Sequence, residues 1–349
     1  MSALKWFREI GLADRETVGG KGASLGELEN AGIRVPPGFV VTAQAFEDFL
    51  ERVDPRGEVR VAIEALTEHD PRLPQVTAAV RALIERQPLP DGLQAALAAA
   101  YEALCGTGGD TPVAVRSSAT SEDSENASFA GLQDTYLWLR GMDSIVAHVR
   151  QCWASLYSEP SVTYRRRLKL PEAGVAMGVV VQRMVDARTA GVIFTRSPTT
   201  GDRSIITVEA AWGLGSAVVG GEVTPDRFRV NKVTLEILSR TVSDKGLRHV
   251  PVPGGGVIDE PVPAHERMSP SVSDDELQEL ARIAKRVEQH YGRAQDIEWA
   301  IDRRLNAPDA IFLLQSRPET VWSQRDAQPA MPVRASAFDH LMATLRGGR

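Results

Sequence analysis

The chain has 349 residues, 43% of them hydrophobic and 25% charged, with a formal net charge of −6. That is the profile of a soluble globular protein with two domains or one large two-lobed domain. The acidic balance, without a block of basic residues, excludes nucleic acid and anionic membrane as main partners. No apolar run reaches the ~20 residues that span a bilayer, and residues 1–11 are too polar for a secretory signal. Two cysteines, Cys105 and Cys152, make neither a disulfide framework nor a structural zinc site. Both read as buried thiols, and the cytoplasm is the expected compartment.

In chain order, the first stretch that carries chemistry is 18–28. Gly19, Gly20 and Gly22 precede an apolar run through Ala23, Leu25 and Leu28, which reads as a loop entering a helix N-terminus. Such an end offers backbone N–H groups and a positive dipole end, both suited to phosphate. Lys21 adds a point charge. The GxxxxGK[ST] spacing of a Walker loop is missing, and a turn with a solvated lysine is the competing reading. A short buried strand follows at 39–42. Helices are expected over 43–53, 61–66, 76–84 and 93–104, punctuated by Pro and Gly, and this stretch reads as scaffold.

A strand from Val113 then delivers Arg116 into a loop rich in Ser, Thr and acids, with a turn at 129–135 behind it. Hydroxyls, glycine and one arginine at a strand end suit a phosphate-binding loop; an acidic surface loop with a structural arginine is the alternative. A helix is expected over 143–158, and Arg165, Arg166 and Arg167 read as a solvated helix end. Strands are expected at 176–181, running out into Gln182, Arg183, Met184 and Val185, then at 190–195, 204–210, 227–230 and 237–242. Residues 251–262 read as a loop. Ser273 caps an amphipathic helix to Tyr291 with acids in its first turn.

The last strands form the most informative element. Residues 296–302 (DIEWAID) and 310–318 are short apolar runs joined by a turn with Asn306 and Pro308, a hairpin signal. Alternate residues share a face. Ile297, Trp299 and Ile301 then point one way and Asp296 and Glu298 the other, with Gln315 and Arg317 together on the second strand. If the polar faces coincide, a carboxylate, an amide oxygen and a guanidinium converge. Oxygen ligands suit Mg²⁺ shared with substrate phosphates, and a guanidinium suits a phosphate. A solvent-facing hairpin with scattered polar residues is the plainer alternative.

A helix-rich first half and a mainly antiparallel second half make an α+β protein. Five motifs, in this order, resemble the ATP-binding domain of the phosphoenolpyruvate synthase, pyruvate phosphate dikinase and rifampin phosphotransferase family. They are VGGKGASLGEL (18–28), VAVRSSATSEDSENASFAGLQDTYL (113–137), GVIFTRSPTTGD (191–202), VEAAWGLGSAVVGGEVTPDRFRV (208–230) and DIEWAID with LLQSRPET (296–302, 313–320). The resemblance spans residues 18–322 and implies an ATP-grasp fold, two lobes with the nucleotide between them. It divides the chain into an N-terminal lobe at 1–183, a C-terminal lobe at 184–322 and a linker and tail at 323–349. It further implies that Lys21 and Arg116 hold ATP phosphates, that the turn with Gly131 and Thr135 covers them, and that Gln182 and Met184 lie at the hinge where adenine is read. Glu298 and Gln315 hold Mg²⁺ and ATP, and Arg317 binds phosphate, so that Lys21, Arg116 and Arg317 are the catalytic set. Glu209 and the Trp212–Gly215 turn match a family motif whose ligand and structural roles the sequence leaves unseparated.

Full-length members of that family pass phosphate through a histidine on a second module. None of the six histidines, His69, His148, His249, His265, His290 and His340, stands in such a motif, and each reads as solvated or packed. The chain is therefore expected to be the ATP-binding subunit of a split dikinase-type phosphotransferase. ATP goes to AMP and phosphate, a separate subunit carries the phosphohistidine and acceptor pocket, and a phenol or cresol is a candidate acceptor. Alternatives are a self-contained ATP-grasp ligase that forms ADP and a non-catalytic ATP-binding regulatory subunit. The tail carries Phe338, Leu341, Met342 and Leu345 at helical spacing, a stripe that docks on a partner or folds back on its own domain.

Overall fold

In the computed structural model the described residues are 2–120 and 134–322. Gly131 and the tail lie outside them. Strands β1 (Leu4–Trp6), β2 (Gly38–Val41), β3 (Val113–Ala119), β4 (Thr135–Leu139) and β5 (Met177–Arg183) form a five-stranded sheet in the order β1-β2-β5-β3-β4. The chain then passes through residues 184–186 into β6 (Ala187–Phe194), β7 (Ile205–Trp212), β8 (Asp226–Asn231) and β9 (Ile237–Thr241). A ribbon of β10 (Leu247–Pro251) and β11 (Val257–Pro261) follows, and β12 (Gln295–Asp302) and β13 (Ile311–Pro318) return to a six-stranded sheet ordered β13-β12-β6-β7-β8-β9. The paired strands are antiparallel, which fits the α+β expectation.

The helices follow from their apolar spacing and caps. In Asp274–Tyr291, Leu277, Leu280, Ala281, Ala284 and Val287 are buried on one face. Its capping box is closed by Glu276 N–H donating to Ser273 Oγ at 3.3 Å and Ser273 N–H to the Glu276 carboxylate at 2.8 Å. Gly292, at φ 66°, ends it. This helix packs on the second sheet, in one apolar cluster with Ile193, Val208, Phe228 and Trp299. The helices Ala43–Val53, Leu73–Arg86, Asp91–Cys105 and Met142–Ser155 cover the first sheet around Phe46, Phe49 and Trp153. Among the described residues no helix is long and apolar enough to cross a membrane.

One helix joins the two sheets. Arg15–Asn30 places Val18, Ala23, Leu25 and Leu28 in the same cluster as Val40 and Val180 of the first sheet and Trp299 and Leu313 of the second. Its Ser24 hydroxyl donates to the Ser316 carbonyl of β13 at 2.7 Å, and its Gly22 N–H to Ser118 Oγ of β3 at 3.1 Å.

Four local readings are corrected. Residues 251–262 are not a loop throughout: β11 pairs with β10 across a turn that Val252 N–H closes on the Gly256 carbonyl at 3.1 Å. The helix expected over 143–158 ends at Ser155, and Ser158, whose Oγ accepts from Ser161 N–H, caps a separate helix, Glu159–Arg167. Arg165 is not solvated. Buried Glu172 draws it in, and Arg165 Nε and Nη2 each donate to that carboxylate at 3.1 Å. Cys152 is buried as expected, but Cys105 is only half-buried.

Candidate active site

A cleft of about 350 Å³ lies between the sheets. Lys21, Arg116, Thr135, Gln182, Met184, Glu298, Gln315 and Arg317 all line it.

Strand register gives the cleft a direction. The connection 184–186 closes one end. There β3 pairs with β5 as Val113↔Arg183, and β12 pairs with β6 as Asp302↔Ala187. Arg116 sits three residues further along β3, opposite Val180. Glu298 lies four residues back along β12 from Asp302, opposite Val192. Apolar walls from Met184, Val185, Leu214 and Ala300 therefore occupy the connection end, where Arg183 also borders the cleft, and Arg116 and Glu298 stand toward the other.

Lys21 stands at that charged end because of the glycines before it. Gly19 breaks the helix with φ 75° and ψ 174°, a region essentially closed to side chains. A Cβ there would lie 2.0 Å from the Ser118 carbonyl oxygen. Ser118 Oγ donates to the Val18 carbonyl at 2.8 Å and accepts from Gly22 N–H, which straps the segment to the end of β3. So the glycine segment is a close backbone approach as well as a helix start. Lys21 is 4% exposed, which overturns the solvated-lysine alternative.

Arg116 reaches across the cleft. Its Nη1 donates to the Leu314 carbonyl at 2.9 Å, and its Nη2 to Gln315 Oε1 at 2.7 Å and Glu298 Oε2 at 3.3 Å. A bulge makes this possible. Glu298 pairs with Gln315, but the next residue, Trp299, pairs with Leu313. Leu314 is the extra residue, and a bulged residue is left out of the ladder. Its carbonyl serves Arg116, and both Leu314 and Gln315 line the cleft. The alternation predicted for β12 holds, with Ile297, Trp299 and Ile301 in the core. The Leu314 bulge carried no signal in the sequence.

Asp296 pairs with Arg317 one step beyond Glu298. Burial pushes its carboxyl up to about 7; the nearby Glu319 charge adds to this and Arg317 opposes it. Its Oδ1 is buried with no hydrogen-bond partner among the described residues. Glu298 and Gln315 bring a carboxylate and an amide oxygen to the cleft, and such hard donors fit Mg²⁺.

Other groups have structural work. Gln182 Nε2 donates to the Pro36 carbonyl at 3.1 Å, which fixes the start of the connection. Glu209 is held by Arg227 across β7 and β8, with 2.7 Å between charged atoms. The Trp212–Gly215 turn does two things. Gly213, at φ 79°, lets the His249 carbonyl approach, and Leu214 and Gly215 line the cleft. The hydroxyls of Ser117 and Ser118 bond to backbone carbonyls of Asp134 and Val18. Ser216 and Val219 are cleft residues that the sequence did not single out; only the run of glycines in their motif hinted at them.

The profile of the pyruvate phosphate dikinase AMP/ATP-binding domain matches residues 15–337. A probable phosphoenolpyruvate synthase of Staphylothermus marinus is 41% identical over 92% of this chain and 42% of its own length. A phosphoenolpyruvate synthase of Aeropyrum pernix is 41% identical over 99% of this chain and 46% of its own. A rifampicin phosphotransferase of a Streptomyces species is 42% identical over 90% of this chain and 35% of its own. The chain spans less than half the length of each of these relatives.

Proposed function

The chain belongs to the family of pyruvate phosphate dikinase AMP/ATP-binding domains, and from that premise we propose that it is the ATP-activating component of a dikinase-type phosphotransferase. Adenine lies at the apolar connection end, beside Gln182 and Met184. The phosphates lie among Lys21, Arg116 and Arg317, with Thr135 beside them. Glu298 and Gln315 hold Mg²⁺. One observation carries this reading: Lys21, Arg116, Glu298, Gln315 and Arg317 meet in a single cleft that also has apolar walls from Met184, Val185, Leu214 and Ala300.

Phosphoryl transfer needs mainly positioning and neutralisation of charge. Mg²⁺, held by Glu298 and Gln315, would supply positive charge that neutralises the phosphates. The chain's own residues do the rest. Lys21, held by the Gly19 turn, supplies a fixed cation. Arg116 donates to Glu298 Oε2 and Gln315 Oε1, the residues that would hold Mg²⁺, so its guanidinium would be free to turn to the phosphates once those oxygens are otherwise engaged. Asp296 keeps a buried acceptor beside Arg317.

ATP is split so that the β-phosphoryl passes to a histidine on a separate subunit, the γ-phosphoryl goes to water as phosphate, and AMP leaves. Among the described residues no histidine lines the cleft, which supports an acceptor from outside. That subunit also holds the pocket for a small acceptor, with a phenol or cresol as candidates. The test is co-purification from the native cell, followed by turnover of ATP labelled at the β-phosphate. AMP formation with the label on a partner's histidine is the expected result. ADP formation by the chain alone, or binding without turnover in the reconstituted assembly, would overturn it.

A further inference from the structure

Outside the cleft's charged end, Glu222, His249 and Asp259 each bring a donor atom within 4.8 Å of the others. Glu222 follows the short helix Ser216–Val219, His249 is the middle residue of β10, and Asp259 faces it across the ribbon on β11. His249 is 8% exposed, whereas the Glu222 and Asp259 side chains are 49% and 65% exposed. The site is thus a buried imidazole opening on two carboxylates that water and ions can reach.

The distances argue for an ion between them. His249 Nε2 is 3.3 Å from Glu222 Oε2 and 3.3 Å from Asp259 Oδ1. A charge-assisted N–H···O bond is about 2.7–2.9 Å, so both separations are long for direct contact. Ligands on one tetrahedral cation with bonds of about 2.0–2.1 Å stand about 3.3 Å apart, the edge of the tetrahedron. The other ring nitrogen, Nδ1, is 2.7 Å from Ser216 Oγ. With Nδ1–H donated to that hydroxyl, Nε2 turns its lone pair to the two carboxylates, the outer-shell arrangement usual for a metal-binding histidine.

We propose that Glu222, His249 and Asp259 bind a first-row divalent cation of the Zn²⁺ type, with water completing its shell. An imidazole ligand favours such ions over Mg²⁺, so this site differs in chemistry from the oxygen set at Glu298 and Gln315. Its place gives it a consequence. Ser216 and Val219 line the cleft, and the His249 carbonyl accepts the Leu214 N–H at 3.0 Å. An ion here pins the β10–β11 ribbon to one wall of the cleft, so that ribbon and wall move together.

The experiment is calorimetric titration of the full chain, stripped of metal, with Zn²⁺ alone and no nucleotide. One ion per chain is expected, with binding lost in His249→Gln. Asp259→Asn and Glu222→Gln, at exposed positions where folding is kept, lose at least the ~10-fold that even an outer-shell change costs. Glu298→Gln retains full affinity. No binding by the wild type, or binding unchanged in the three site variants, overturns the proposal; so does binding lost in Glu298→Gln and kept in Asp259→Asn. Because no nucleotide is present, either result leaves the proposed ATP chemistry to its own test.

Discussion

Glu172 and Glu298 are both carboxylates that face arginine, yet their surroundings differ in one respect: room. Glu172 is 1% exposed, and both its oxygens are taken by Arg165, with Arg166 adding a third contact at 2.6 Å. Arg165 finishes its own bonding on the Leu156 carbonyl at 2.7 Å. Glu298 has a side chain 28% exposed, meets one arginine nitrogen at 3.3 Å, and shares that nitrogen with Gln315. The first cluster is closed, and removing any member leaves a buried charge. The second borders a cavity where water, metal and phosphate can replace each partner. Identical chemistry thus serves as a fixed joint in one place and an exchangeable one in the other.

Glu298→Ala should break the exchangeable joint at the largest cost. Loss of a group placed for developing charge costs about 10²–10³ in rate, and loss of the metal oxygen with it makes ~10³-fold or more the expected fall in phosphoryl transfer by the reconstituted enzyme. Thermal unfolding should change little, since Arg116 keeps Leu314 and Gln315. Full activity in this variant would remove Glu298 from the metal site. Glu172→Ala should do the reverse. It strands two guanidiniums, one fully buried, and breaking such a pair costs about 3–5 kcal/mol. The midpoint of denaturant unfolding reads this. A midpoint unmoved by Glu172→Ala would erase the contrast between the clusters.

The next test concerns how Lys21 is held. Gly19→Ala forces a side chain into a backbone region open to glycine and into the Ser118 carbonyl, 2.0 Å from the added carbon. Strain and overpacking together set the cost at about 3 kcal/mol. Gly32, also at positive φ (68°), has no atom within 4 Å of an added Cβ, so Gly32→Ala should cost only about 1 kcal/mol. Gly19→Ala should also weaken ATP binding in calorimetry, and Gly32→Ala should not. Equal effects in the two variants would show that the contact with Ser118 is not what places the lysine.

How far the sequence reached depends on the range over which each feature is determined. The β12–β13 hairpin and the helix capped by Ser273 were legible because alternation and capping are local. The cleft residues were legible as a set through their motifs, and Glu298 and Gln315 through strand parity. Arg165 read as solvated because its partner, Glu172, follows the helix without any periodic signal. The bulge at Leu314 and the cluster around His249 depend on pairing between strands, and single-chain patterns carry no register. Ser118 is the clearest case: it read as a phosphate-binding hydroxyl, but its bonds go to Val18 and Gly22, about a hundred residues away.

The smallest effect tests how tightly the core between the first sheet and its covering helices is packed. Cys152 is buried among the first sheet's core residues. Burial raises its thiol well above the usual range; Asp134 adds to this and Lys21 opposes it. Only the thiolate reacts with disulfide reagents, so Cys152 should stay inert in the native protein through pH 9. Cys105 ends its helix half-buried, with its sulfur 3.4 Å from Thr111 N, and should react within minutes. One thiol per chain is therefore expected before unfolding and two after it. If Cys152 reacts as fast as Cys105 in the wild type, the core between the first sheet and its helices opens on its own, and the packing argued for it fails.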